Sequence, residues 1–172
     1  MIRKKIEEVT AQLLDELNIN EIPVPIRKIA ERIGLNIHPY DLGENISGVL
    51  VIEKEQGTIG INPLESSVRQ RFTIAHELGH FILHKNNNDS LFVDKDFKVL
   101  FRNQESTTGE LKREQDANAF AAAILMPKNI LKKKIDELSL DLTDEDAVKS
   151  LAQMFDVSAI AMTYRIANLH LL

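Results

Sequence analysis

The chain has 172 residues, of which 44% are hydrophobic and 27% are charged, and it contains no cysteine. This length suits one domain of ordinary globular composition, and the lack of cysteine excludes both a disulfide framework and a thiolate metal site. The formal net charge of -5 argues against a broad phosphate-binding surface, so a protein partner is favoured over nucleic acid.

The first third of the chain predicts two helices followed by strands. Apolar residues recur at helical spacing from Ile2 to Leu17, and this segment lacks the apolar core of a signal peptide. A short second helix is predicted from Ile26 to Ile33, and Gly34 closes it. The predicted strands are Leu35 to His38, Ser47 to Glu53 and Thr58 to Asn62, with a turn around Gly57.

The remaining two thirds of the chain are predicted to be mainly helical. Ser67 and Gln70 match a capping box, which predicts a helix from Ser67 to about His84. The segment from Lys85 to Thr108 is interpreted as a long connection that contains a possible pair of strands. Its two strands would be Leu91 to Val93 and Val99 to Phe101. The later predicted helices are Gly109 to Leu125, Asn129 to Leu138 and two helices within Asp144 to Leu171.

The longest strongly apolar stretch runs from Ala117 to Met126. It has about half of the roughly 20 residues that a membrane-spanning helix needs. Because the N-terminus also lacks an export signal, the sequence predicts a cytoplasmic protein that does not interact with membranes.

The pattern His-Glu-x-x-His at residues 76–80 lies within the predicted helix that starts at Ser67. At 3.6 residues per turn, His76 and His80 share one face and lie one turn apart, so both imidazoles can reach one metal ion. Glu77 projects beside them, where it can act as general base without binding the metal. Catalytic zinc typically has three protein ligands, so a third ligand is required.

His84 is excluded as that third ligand by distance. It lies about 12 Å along the helix from His76, at roughly 1.5 Å per residue. We expect it at the helix end, as a partly charged imidazole near the negative end of the helix dipole. A third histidine six residues after His80 is also excluded, because Asn86 occupies that position.

A carboxylate on the next helix is therefore the predicted third ligand. Glu110, Glu114 and Asp116 are the candidates; Glu114 falls on a stripe of apolar and small residues, whereas Asp116 shares a face with Lys112. An unpaired carboxylate is costly to bury, and metal coordination would explain its place there. We therefore predict Glu114 as the ligand, with Asn118 one turn later as a hydrogen-bond partner for a ligating histidine.

Three segments of the chain occur together: Arg-Phe-Thr-Ile-Ala-His-Glu-Leu-Gly-His at 71–80, Glu-Gln-Asp-Ala-Asn-Ala-Phe-Ala at 114–121 and Leu-Met-Pro at 125–127. In these segments the chain resembles the ImmA/IrrE family of metallopeptidases. Weaker matches fall at 46–49, 59–62 and 155–158. The resemblance spans about Pro23 to the C-terminus, and it implies a gluzincin-like zinc (Zn2+) site with Glu114 as third ligand. It also implies cleavage of a helix-turn-helix transcriptional repressor from a phage, mobile element or stress regulon. Asp116 departs from the pattern, since the family more often has glutamate there.

The motifs together predict an α+β fold of the zincin type, with a small sheet beside the motif helix and a second ligand-bearing helix. The chain is expected to be one peptidase domain over residues 1–172, with a catalytic core at about 23–128 and a helical subdomain at about 129–172. We expect a zinc endopeptidase in which Glu77 deprotonates the attacking water and protonates the leaving amine. The alternative is a metal-stabilised module that sequesters a repressor without cleaving it.

Two further expectations concern binding surfaces. The C-terminal block has a helix-turn-helix rhythm, but Ser158-Ala-Ile-Ala-Met162 offers no basic or amide side chain for reading DNA. A structural or repressor-docking role is therefore favoured. The strand Thr58 to Asn62 precedes the motif helix, and we expect it to pair with an extended substrate. Tyr40 and Tyr164, the two tyrosines, are assigned no role.

Overall fold

A computed structural model of the protein describes residues 2–43, 45–53, 56–84, 90–95 and 108–171. Its helices and strands form a mixed α+β structure, which confirms the predicted fold class. The helices are α1 Ile2–Glu16, α2 Ile26–Arg32, α3 Ser67–His84, α4 Thr108–Leu125, α5 Lys128–Leu138, α6 Glu145–Phe155 and α7 Ala159–Asn168. The strands are β1 Asn36–Pro39, β2 Ile46–Glu53, β3 Gln56–Ile61 and β4 Ser90–Lys95. Of the helices in these ranges, none is long and apolar enough to cross a membrane.

The chain folds into two compact units. Ile26–Ala121 forms one unit, which contains the sheet, α2, α3 and most of α4. Met1–Pro25 and Ala122–Leu172 form the other unit, which contains α1 and the three C-terminal helices. The single peptidase domain with its core at about 23–128 remains a prediction.

The four strands form one sheet in the order β1-β3-β2-β4. β1 runs parallel to β3, whereas β2 is antiparallel to both β3 and β4. Strand β3 is therefore an inner strand: Thr58 pairs with Asn36 on one side and with Val51 on the other. The prediction that Thr58 to Asn62 pairs with a substrate is wrong, because its backbone groups already bond to two neighbouring strands.

Two glycines let helix α3 pack closely on the sheet. A Cβ at Gly48 would lie 2.2 Å from Thr73 Cγ2, and a Cβ at Gly57 would lie 2.2 Å from Leu35 Cδ2 and 3.1 Å from Phe81 Cε2. Gly57 was predicted to form the hairpin turn, but it pairs with Ile52 inside the ladder. Glycine within a strand here marks a close approach of neighbouring elements.

The start of α3 differs from the predicted capping box. The N-capping side chain is that of Ser66, whose Oγ accepts a hydrogen bond from the Arg69 amide at 3.3 Å. Gln70 does not reach back to the cap; its Nε2 donates to the carbonyls of Glu65 at 2.8 Å and Pro63 at 3.4 Å. The predicted helix itself, from Ser67 to His84, is confirmed.

The other predicted elements also appear, with ends shifted by one or two residues. Strand β4 covers the predicted Leu91 to Val93, whereas Val99 to Phe101 lies outside the described residues. The C-terminal helix pair is confirmed: Asp156 ends α6 with φ 51°, and Ser158 Oγ caps α7 by accepting from the Ala161 amide. The outer side of α7 exposes Ile160 and Tyr164.

Candidate metal centre

The middle of α3 is buried continuously from Thr73 to Phe81. The sheet lies against one side of this stretch, as the contacts at Gly48 and Gly57 show. On another side α4 approaches closely, since a Cβ at Gly79 would lie 3.1 Å from Phe120 Cβ and 3.2 Å from Ala117 Cα. The small side chains of both helices therefore bring their backbones together at the level of the motif.

This packing brings His76, His80 and Glu114 to one point. The Nε2 atoms of the two histidines are 3.0 Å apart. His76 Nε2 lies 3.2 Å from Glu114 Oε2, and His80 Nε2 lies 3.2 Å from Glu114 Oε1. Both histidines are 1% exposed. Within the described residues, these three side chains are the group of histidines and carboxylates with metal-binding spacing.

The spacing of these atoms fits a small divalent ion. In a tetrahedral zinc site with bonds of about 2.0–2.1 Å, neighbouring ligand atoms lie about 3.3–3.4 Å apart. The two histidine nitrogens are 3.0 Å apart, and each lies 3.2 Å from a different oxygen of the Glu114 carboxylate, which is close to that value. Two imidazole nitrogens and one carboxylate also form the donor set that zinc hydrolases use when cysteine is absent. The residues therefore fit a zinc ion.

Asn118 orients His76 toward this point. Its Oδ1 lies 3.1 Å from His76 Nδ1. Because an amide oxygen only accepts hydrogen bonds, Nδ1 donates in this contact, and Nε2 is the nitrogen that lies against Glu114 and His80. The predicted hydrogen bond between Asn118 and a histidine of the motif is present, and it leaves Nε2 as the nitrogen that would bind a metal.

Replacing Asn118 by alanine is expected to weaken zinc binding about 10- to 100-fold, because the His76 ring loses the bond that fixes its orientation and tautomer. Competition with a zinc chelator measures the affinity. Asn129→Ala, an exposed asparagine on α5, is the matched control and should bind zinc as the wild type does. Unchanged affinity in Asn118→Ala would show that the packing of α3 alone orients the imidazole.

The carboxyl of Glu114 is ionised by its surroundings. Burial raises its pKa, but hydrogen bonds and charge from His76 and His80 outweigh burial and lower the pKa from 4.5 to about 2. The side chain is therefore negatively charged at neutral pH, as a metal ligand must be. Glu110 and Asp116, the other acidic candidates on this helix, do not belong to the group.

His84 behaves differently from the sequence-based expectation. Burial lowers its pKa, and the charge of His80 lowers it further, while Asp116 acts in the opposite direction. Desolvation is thus the largest influence on this imidazole and disfavours its charged form, against the expectation of a partly charged group at the helix end. His84 lies beside His80, with ring centroids 5.8 Å apart, but it is not among the three grouped side chains.

Glu77 is fully buried and lies on the sheet side of α3. Its Oε1 is 3.4 Å from the position that a Cβ at Gly48 would occupy. Gly48 of strand β2 thus packs beside the carboxylate of Glu77. Sequence reasoning gave Gly48 no role in the site, although a glycine inside an otherwise apolar strand is the signal for such an approach.

Comparisons with known proteins agree with this geometry. A family model described as the IrrE N-terminal-like domain matches residues 30–167. The chain is 32% identical over 116 residues to the radiation response metalloprotease IrrE of Deinococcus radiodurans, covering 67% of this chain and 32% of that protein. It is 28% identical over 129 residues to the metallopeptidase ImmA of Bacillus subtilis, covering 75% of this chain and 67% of that protein.

Two further matches extend the comparison. An immunity region protein of Bacillus phage phi105 is 30% identical over 115 residues, which is 66% of either chain. The chain thus spans between about a third and two thirds of the length of these relatives. A solved Mycobacterium tuberculosis transcriptional regulator has a TM-score of 0.64 at 14% identity, with 95% of this chain and 46% of that chain covered. That structural match supports the fold alone.

Proposed function

The chain belongs to the IrrE N-terminal-like family of metallopeptidases, and from this premise we propose that it is a zinc-dependent endopeptidase. The observation that carries the proposal is the convergence of His76, His80 and Glu114, with their ligand atoms 3.0–3.2 Å apart. Packing alone does not account for this convergence, because three polar side chains at a buried helix contact are costly unless they bind something.

In this proposal His76, His80 and Glu114 hold the zinc ion, and Asn118 keeps His76 in the ligating tautomer. Bound zinc supplies Lewis acidity, which polarises the scissile carbonyl and lowers the pKa of water. Glu77 is the general base: one carboxylate oxygen takes a proton from the attacking water and then delivers it to the leaving amine. The burial of Glu77 and both histidines excludes bulk water from this exchange.

The proposed substrate is a helix-turn-helix repressor, cut at a specific site in the cytoplasm. This part of the proposal is supported by the resemblance to the ImmA/IrrE family and by the phage relative, whose name places it in an immunity region. An extended substrate segment would need a free strand edge. Within the described part of the sheet β1 and β4 are the outer strands, and β4 adjoins β2, the strand that carries Gly48 beside Glu77.

Elemental analysis of the purified protein tests the metal centre. We expect about one zinc per chain in the wild type and in Asp116→Ala, and a loss of most of the zinc in Glu114→Ala, which removes one of three ligands. Asp116 is the matched control because it is an acidic residue on the same helix but outside the group. A wild type that takes up no zinc when zinc is supplied would refute the peptidase and leave a repressor-binding module.

A further inference from the structure

The face of α3 that bears His76 continues toward the start of the helix with Phe72 and Arg69. These residues are spaced four and seven positions before His76, so they lie on one side of the helix. The ring centroids of Phe72 and His76 are 6.2 Å apart, and the guanidinium carbon of Arg69 lies 5.6 Å from the centroid of the Phe72 ring. Arg69 and Phe72 are both partly exposed, whereas His76 is buried.

Arg69 is held in place by the sheet. Its Nε donates to Ser47 Oγ at 3.1 Å, and Ser47 Oγ donates to Glu65 Oε1 at 2.8 Å. Ser47 is itself buried, and its carbonyl accepts from the Asn62 amide at 2.9 Å. These contacts hold the guanidinium over the Phe72 ring, and the attraction between a cation and the ring face favours one ring orientation.

We propose that Phe72, positioned by Arg69, is one wall of a substrate subsite that takes a bulky apolar side chain next to the scissile bond. The inference rests on the proposed function and adds the selectivity of that same site. A partly exposed aromatic ring one helical turn from a ligating histidine presents apolar surface to whatever peptide reaches the metal. A bulky apolar peptide side chain would bury that surface, whereas glycine or alanine would leave it exposed to water.

Among the exposed aromatic side chains of the described ranges, Tyr40 does not meet these conditions. Tyr40 is 66% exposed, but it lies near Gly60, and a Cβ there would meet Val49 Cγ1 and Tyr40 Cβ. Gly60 is three residues from Gly57, which faces α3, so Gly60 and Tyr40 belong to the opposite face of the sheet. Tyr40 therefore serves as a control of similar chemistry in the same compact unit.

The test measures binding of two small hydroxamates to the zinc-loaded full chain by calorimetry. The probes are N-acetyl-leucine hydroxamate and N-acetyl-glycine hydroxamate, which share the zinc-binding group and differ in one side chain. We expect the wild type and Tyr40→Ala to prefer the leucine compound about 10- to 100-fold, the value of one well-packed apolar side chain. Phe72→Ala should bring the ratio close to one and leave the affinity for the glycine compound unchanged.

Arg69→Met is the second variant, since it leaves the ring in place but removes the group that positions it. It should lower the leucine-to-glycine ratio severalfold at unchanged zinc content, a change in selectivity that loss of stability alone would not produce. A wild-type ratio retained in both variants would overturn the subsite. A protein that binds the glycine compound without preferring leucine would overturn the subsite but not the metal centre. Binding of neither compound to the zinc-loaded chain would also overturn the subsite, whereas the metal centre is tested separately by zinc content.

Discussion

Replacing Glu77 by glutamine is expected to lower kcat/KM for peptide hydrolysis by about two to four orders of magnitude, while zinc content stays at the wild-type level. General acid-base catalysis contributes about this much, and an amide cannot take up the proton of the attacking water. Glutamine has nearly the same shape, so it fits the buried position of Glu77. Cleavage of a candidate repressor or a quenched fluorescent peptide measures the rate, and elemental analysis measures the zinc.

Glu110→Gln is the matched control, because Glu110 is an exposed carboxylate on α4 and does not belong to the metal-binding group. Its activity should equal that of the wild type. Full hydrolytic activity in Glu77→Gln would place the general base on another residue. If instead the wild type binds a repressor without cutting it and Glu77→Gln binds equally well, the chain is a sequestering module.

The residues of the candidate metal centre were predictable because each depends on local helix geometry. His76 and His80 are one turn apart on α3, a relation that sequence spacing alone defines. Glu114 was selected by its place on the buried stripe of α4, and the structure brings it within 3.2 Å of each histidine. Helical periodicity predicts which side of a helix is buried even when its packing partner is unknown.

The strand order was not predictable in the same way. β1 pairs in parallel with β3, and β2 lies between β3 and β4. Parallel pairing joins segments separated along the chain and leaves no turn motif to mark it. The expectation that Thr58 to Asn62 would be an open edge followed from chain order alone, and this is why it failed.

Two local predictions also differ from the structure. The capping side chain of α3 is that of Ser66 rather than Ser67, and Gln70 bonds to carbonyls of the preceding turn. Gly57 lies inside the strand, where Leu35 and Phe81 occupy the space that a side chain would need. Both results depend on neighbours that sequence spacing does not identify, and so does the stack of Phe72 and Arg69 beside the metal centre.

An ion pair between residues far apart in the sequence, which the sequence analysis did not predict, joins α1 to α7. Arg165 is 5% exposed. Its Nη1 and Nη2 donate to the two carboxylate oxygens of Glu7, and the bond from Nη2 is 2.9 Å long. Its Nε donates to the carbonyl of Met126 at 3.0 Å. The guanidinium thus ties together three segments of one compact unit: the N-terminal helix, the end of the α4 region and the last helix. Nothing in the spacing of residues 158 positions apart predicts such a contact.

Replacing Arg165 by leucine is expected to lower the free energy of unfolding by about 2–4 kcal/mol. Removing one partner of a buried ion pair typically costs about 3–5 kcal/mol because the other charge is left uncompensated. Here the cost is reduced because the Glu7 side chain is 30% exposed and water can reach its carboxylate. Thermal unfolding should show a decrease in Tm of roughly 5–15 °C, given about 2–4 °C per kcal/mol for a chain of this size.

The double variant Glu7→Leu with Arg165→Leu should recover much of the lost free energy of unfolding. Replacing both charges by apolar groups leaves no unpaired carboxylate beside α7. The control is Lys149→Ala, which removes exposed ion pairs to Glu145 and Asp146 and should change stability by no more than about 1 kcal/mol. If Arg165→Leu matched this control, the guanidinium would contribute no more than a surface charge does. Recovery in the double variant would instead show that the unpaired Glu7 carboxylate, rather than lost packing around Arg165, accounts for most of the destabilisation.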